Sequence, residues 1–189
     1  MSASPRASAA VLADRIPGAL ARDAALVTGF ALAIALSAQL AFPLPGTPIL
    51  VTAQTLVVLL GAATLGATRA SIGAGAFLLV GLAGVPAWFA HSGGTSTGYI
   101  IGFVAAALVV GRCARSGLLR SHLGAVSVMV GGNLVIYAFG VPVLAFVLGI
   151  GLTEAVLLGV VPFLIGDAVK IAIATVLLPQ VQRLVDRTE

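Results

Sequence analysis

An acid and a base stand three residues apart in Gly166-Asp167-Ala168-Val169-Lys170, within a stretch that is otherwise apolar. Between positions 155 and 182 they are the only charged side chains, flanked by Val160-Val161-Pro162-Phe163-Leu164-Ile165 and by Ile171-Ala172-Ile173-Ala174. Charge inside an apolar helix is costly and marks a substrate or ion path. At i,i+3 both side chains leave the same helical face, so they can neutralise each other or share one ligand. A structural ion pair joining this helix to its neighbours is the plainer reading. The context favours a ligand, because a water-filled cavity open to the exterior can reach the pair near the middle of its helix.

Three further features could hold a small molecule. The stretch 84–103 packs Trp88, Phe89 and Tyr99 among glycines and the hydroxyls of Ser92, Thr95, Ser96 and Thr97. Aromatic faces beside donor-rich backbone suit a small organic ligand, while an interfacial turn with an aromatic belt is the competing reading. Gly131-Gly132-Asn133 and Tyr137 interrupt a later apolar run, and Thr52 and Gln54 an earlier one. Each of these polar groups could bond a neighbouring helix or a ligand. Small residues recur at four-residue spacing (Ala31 and Ala35; Ala67, Ser71 and Gly75; Gly94, Gly98 and Gly102), which permits close helix approach, within the chain or against another subunit.

Other chemistries find no support. The lone Cys113 with His91 and His122 offers no metal-ligand cluster, and no G-x-x-x-x-G-K-[ST] motif cradles a nucleotide. Asp167 is the sole acid at membrane depth, without a partner set for hydrolysis or group transfer, so the chain is expected not to be an enzyme and to carry no ATPase of its own. No cofactor is expected. The arginines are dispersed rather than gathered with aromatics, which argues against nucleic acid.

The elements that must position these residues are membrane helices. Of 189 residues, 60% are hydrophobic and only 8% charged, and the mean hydropathy is +1.16. Charge-free runs at 24–68 and 70–111 are each long enough for two spans of about 20 residues. Pro43-Leu44-Pro45-Gly46-Thr47-Pro48 and Ala90-His91-Ser92-Gly93-Gly94 divide them. Helices are expected at 24–42, 49–67, 70–89, 98–112, 122–146 and 155–178, the second irregular near Pro48. The continuous apolar runs do not alternate as a β-barrel would. All nine arginines then fall on one side of the membrane: Arg6, Arg15, Arg22, Arg69, Arg112, Arg115, Arg120, Arg183 and Arg187. By the positive-inside rule that side, and both termini, are cytoplasmic. The pI of about 10.2 is therefore a topology signal. A full-length helix 1 beginning after residue 23 speaks against a cleaved signal peptide. The expected organisation is a mobile cytoplasmic segment 1–21, a six-helix membrane domain 22–182 and a cytoplasmic tail 183–189.

Four motifs occur in order along this framework: Pro43-x-Pro45-x4-Leu50-Val51-Thr52-x-Gln54-Thr55, Gly98-Tyr99-Ile100-Ile101-Gly102-Phe103, Asn133-Leu134-Val135-Ile136-Tyr137-x2-Gly140-Val141-Pro142 and Pro162-Phe163-x2-Gly166-Asp167-x2-Lys170. Together they resemble BioY, the biotin-specific substrate-binding (S) component of energy-coupling-factor (ECF) transporters. The resemblance implies an all-α integral membrane protein with six transmembrane helices, capturing biotin near the outer leaflet of the plasma membrane. It implies work alongside a transmembrane coupling protein and a pair of ABC-type ATPases, with self-association a further option. On that basis Asp167, Lys170, Asn133, Tyr99, Gly98, Gln54, Trp88 and Phe89 are the expected substrate contacts, and Ala31 with Ala35 matches the small-residue motif by which such components dock. The chain departs from the family after Pro86, where its loop is shorter and Thr95 and Thr97 replace the usual proline and glycine. An S component for another small vitamin, a stand-alone secondary transporter using the pair as an ion relay, and a structural subunit without ligand are the alternatives. Small size and the lack of an inverted repeat argue against the secondary transporter.

Overall fold

Within a bilayer no water bonds the peptide groups, so apolar chain closes its hydrogen bonds as helix. A computed structural model describes residues 19–84 and 94–187, and helices α1 (Ala19–Ala38), α2 (Gln54–Leu65), α3 (Ala67–Leu82), α4 (Thr97–Arg115), α5 (His122–Leu148), α6 (Leu152–Gly159) and α7 (Leu164–Arg187) make up most of it. Four stretches are long and apolar enough to cross a membrane: Leu20–Ala38, Thr97–Arg115, His122–Leu148 and Leu152–Leu178. The last is α6 and α7 read as one span. With the shorter apolar helices α2 and α3, the protein is a six-helix membrane protein.

Four of the expected helix limits differ in the structure. The first helix stops at Ala38 rather than 42, and the second begins at Gln54 rather than 49. Between them Pro43, Pro45 and Pro48 exclude helix, the chain reverses through a turn at Gly46 with φ of 82°, and a minimal antiparallel pair forms, β1 (Ala41–Phe42) with β2 (Val51–Thr52), in register Ala41 to Thr52. The last span is broken at 160–163. Pro162 cannot donate to the carbonyl four residues back, and the chain crosses the gap in a single 3₁₀ turn, Val161–Phe163. The third helix ends at Leu82, short of the expected 89.

Helix α4 is central, packing most extensively on α5 and then on α3 and α2. Its glycines explain the closeness. A Cβ on Gly102 would strike the Ile136 backbone, one on Gly98 would strike Val143 and the Phe139 carbonyl, and one on Gly111 would run into Ala67. The spacing of Gly98 and Gly102 thus serves internal packing. Gly66 turns the chain from α2 directly into α3 with φ of 80°, a conformation that favours glycine. Phe30 of α1 fills the notch left by Gly61 and Gly73.

The arginine-bearing termini share one end of the bundle. Asp23 accepts hydrogen bonds from Arg22 Nε and Arg69 Nε, each at 3.0 Å, tying the start of α1 to the start of α3. His122 at the start of α5 bonds the Thr175 carbonyl of α7 through Nδ1 at 3.0 Å. That carbonyl has lost its usual helical partner because position 179 is proline.

Ala31 and Ala35 face inward, 6% and 9% exposed, within the chain's own core. Both positions thus pack within the chain itself. The outward face of α1 carries Ala21, Ala24, Ala25, Thr28, Gly29, Leu32 and Leu36 instead.

Candidate functional site

The break before α7 and the non-helical 41–52 segment together shape a cavity at the end opposite the arginines. Its empty space, open mouth included, is about 600 Å³, within the range of small-molecule sites. Ile49, Leu50 and Thr52 come from the non-helical segment, Gln54 and Thr55 from the first turn of α2, Ser96 from the turn before α4, and Tyr99, Ile100 and Phe103 from its first two turns. Ile136 and Tyr137 of α5 and Phe163 from the 3₁₀ turn complete the walls, with Asp167 and Lys170 of α7.

The polar groups form one connected set. Tyr137 donates its hydroxyl proton to Asp167 Oδ2. Lys170 Nζ reaches Asp167 Oδ1 at 3.4 Å and donates a shorter bond, 2.8 Å, to Thr55 Oγ1 on α2. The acid and base are therefore paired within one helix turn and pinned to two other helices. Asp167 is only 6% exposed, a depth at which a carboxylate must be paired and hydrogen-bonded. Tyr99 stands edge-on to Tyr137, ring centroids 6.3 Å apart at 90°, an arrangement aromatic quadrupoles favour. The Tyr99 hydroxyl donates to the Gly159 carbonyl at 2.9 Å. That carbonyl is freed by the helix break, since the Phe163 N–H turns to Val160 instead. Gly140 and Gly159 have no side chain because Tyr99 occupies the space a Cβ would need.

At the cavity rim, Thr52 Oγ1 donates to Gln54 Oε1 at 3.0 Å and accepts from the Gln54 backbone N–H at 3.3 Å. The Gln54 Nε2 group is fully enclosed and has no partner among the described residues. A buried amide left unpaired calls for an explanation, and a ligand acceptor is one.

Of the residues singled out from the sequence, Asp167, Lys170, Tyr99 and Gln54 line this cavity. Gly98 does not; it sits at the α4–α5 crossing, pressed against Val143 and Phe139. Asn133 lies one turn lower, in the wall of a separate small compartment. Trp88 and Phe89 lie outside the described residues. The aliphatic walls Ile49 and Leu50 and the aromatic walls Phe103 and Phe163 were not anticipated as site residues, Thr55 was noticed only within a motif, and Tyr137 was noted as a polar interruption that could bond a helix or a ligand. Their partnership with the pair depends on how three helices meet. One signal for Phe163 was available, namely its place beside the helix-breaking Pro162. No group of three His, Cys, Asp or Glu side chains that could hold a metal occurs among the described residues.

A bundle of six membrane helices with an open-mouthed, aromatic-walled cavity near one membrane face, ending on a largely buried ion pair, defines a membrane protein built to hold a small solute. The fold matches that of a solved structure described as the S-component for biotin from an ECF-type ABC transporter, with a TM-score of 0.74 over 89% of this chain and 92% of that one, at 22% identity. The chain belongs to the BioY family, whose model matches residues 6–187. It is similar to the biotin transporter BioY of Rhizobium etli, 32% identical over 170 residues covering 82% of this chain and 90% of that protein. The biotin transporter BioY of Thermotoga maritima is 29% identical over 161 residues, covering 82% and 92%.

Proposed function

We propose that this protein captures biotin in the cavity between α2, α4, α5 and α7 and serves its uptake across the plasma membrane as a substrate-binding subunit with no ATPase of its own. The observation that carries the reading is an apolar, aromatic-walled cavity ending on the linked Asp167, Tyr137, Lys170 and Thr55 side chains. Biotin presents matching chemistry. Its ureido ring has two N–H donors and a carbonyl acceptor, which Asp167 and the Lys170 ammonium complement. Its thiophane ring and aliphatic chain suit Phe103, Phe163, Tyr99 and Ile100, and its carboxylate suits hydroxyl donors at the mouth such as Ser96 and Thr52. The unpaired Gln54 amide adds a donor. Uptake would require a transmembrane coupling protein and a pair of ABC-type ATPases to supply energy, since no nucleotide motif occurs in this chain.

The test is retention of labelled biotin by the purified, detergent-solubilised protein, alongside Asp167→Asn. Tight binding by the wild type and its loss in the variant supports the reading. Binding of another vitamin and not of biotin would keep the mechanism and change the substrate. Gradient-driven uptake by the protein alone in liposomes would instead make it a secondary transporter.

A further inference from the structure

Directly beneath the ligand cavity lies a second, smaller compartment, one helical turn nearer the arginine-bearing end. Three helices descend into it in step: α2 from Gln54 to Leu59, α5 from Tyr137 to Asn133, and α7 from Asp167 to Ala174. Thr55 and Lys170 belong to both spaces. Their 2.8 Å hydrogen bond forms the floor of one and the ceiling of the other.

The compartment has room for about one water. Its polar lining is unsatisfied. Asn133 is 6% exposed and makes no hydrogen bond among the described residues, although a primary amide has two donor hydrogens and two acceptor lone pairs. Buried amides in folded proteins are bonded to protein or to ordered water. The Lys170 ammonium has three protons, of which Thr55 takes one at 2.8 Å and Asp167 another at 3.4 Å. The third has no acceptor among the described residues. Thr55 Oγ1 accepts from Lys170, and its own hydroxyl proton likewise has no acceptor there. Three groups with spare hydrogen-bonding capacity thus surround a one-water space otherwise walled by Leu59, Met129 and Ala174. A cation is disfavoured by the neighbouring ammonium.

We propose that this compartment holds a single ordered water, bonded to Asn133, Lys170 and Thr55, and that Asn133 acts through it as a positioning residue for the Lys170 ammonium. The water oxygen accepts a hydrogen bond from the third ammonium N–H from below. This holds the long, flexible lysine stem level with Asp167, so that the proton now directed at Asp167 over 3.4 Å is the one able to turn toward a ligand in the cavity above. Asn133 therefore touches no ligand and still affects how one is held. The consequence for affinity rests on the biotin reading, whereas the water site stands without it.

Two experiments decide the matter. A crystal structure of the wild-type protein at a resolution that shows ordered water should contain one peak within hydrogen-bonding distance of Asn133 and Lys170. An empty compartment, or an anomalous peak there in crystals grown with bromide, overturns the proposal. In the second, Asn133→Leu, similar in shape but without the amide, should weaken biotin binding about tenfold with an unchanged melting temperature. Asn133→Ser, which keeps a polar group and leaves room for a second water, should recover most of that loss. Equal affinities for wild type and Asn133→Leu, or matching losses of affinity and melting temperature in both variants, overturn the positioning role. Should Asn133→Leu fail to fold, the wild-type density still decides. Should wild type hold the water yet not bind biotin, the substrate assignment fails and the water site survives.

Discussion

Asp167 is bonded on both carboxylate oxygens from within the protein, and each bond comes from a residue that also lines the cavity. A ligand must join or replace these bonds, which makes single-atom changes informative. Tyr137→Phe removes one donor to a buried charge and little else. Hydrogen bonds to charged groups contribute about 1.5–3 kcal/mol, so biotin affinity should fall on the order of tenfold or more by calorimetry. Asp167→Ala should abolish measurable binding. It also leaves the Lys170 charge without its partner, at about 3–5 kcal/mol for a fully buried pair and less here, because the Lys170 side chain is 16% exposed. Monodispersity must therefore be checked first, and a well-folded Asp167→Ala protein that binds biotin normally would make the pair structural. The pair was legible in the sequence because two charges stood alone in an apolar run. Thr55 was not, and Tyr137 was legible only as a polar interruption of an apolar run, because threonine and tyrosine are ordinary in membrane helices and only the meeting of α2, α5 and α7 gives them a task.

At the scale of elements, the helix break beside Pro162 and Pro179 each leave a carbonyl without its helical partner, and a side chain from another helix claims each. Tyr99 takes Gly159 at the break before α7, and His122 takes Thr175 four residues before Pro179. Tyr99→Phe strands a buried carbonyl and should destabilise the protein by about 1–3 kcal/mol, read as a lower melting temperature. His122→Ala should lower it too. In a Pro179→Ala background, where the helix regains its own N–H donor, the same His122→Ala change should cost distinctly less; equal costs in both backgrounds would sink the idea. The break itself was signalled by Pro162, yet apolar continuity from 155 to 178 read as one helix. The start of α2 was misread for a related reason. Ile49-Leu50-Val51 are hydrophobic enough for a span, but Ile49 and Leu50 line a cavity from non-helical chain. Hydropathy does not distinguish the two.

For the whole molecule, Ala31→Trp with Ala35→Trp should prevent folding, since both positions lie in the core beside α2 and α3 and overpacking forces the helices apart. Ala25→Trp with Gly29→Trp, on the exposed face, should leave a monodisperse protein of near wild-type melting temperature, as size-exclusion and thermal-shift measurements would show. Small-residue spacing could not tell these faces apart, because α1 is small on both sides. The number of spans was legible for a firmer reason: the arginines register which ends share a membrane face, and the Arg69–Asp23 contact joins two of those ends directly.

The brevity of α2 bears on how the chain enters the bilayer during synthesis. Twelve helical residues extend only about 18 Å, well short of a hydrocarbon layer of about 30 Å. Alone, α2 is a poor candidate for recognition as a span. Gly66 joins it to α3 without a loop, so the two should insert together as a helical hairpin once α3 has left the ribosome. Asp23, already at the cytoplasmic face, would then meet Arg69 as the hairpin arrives. Ribosome-bound chains of increasing length, probed by cysteine labelling at position 60, should pass from accessible to protected in one step after residue 82 is exposed. Protection appearing before α3 emerges would mean that α2 enters by itself.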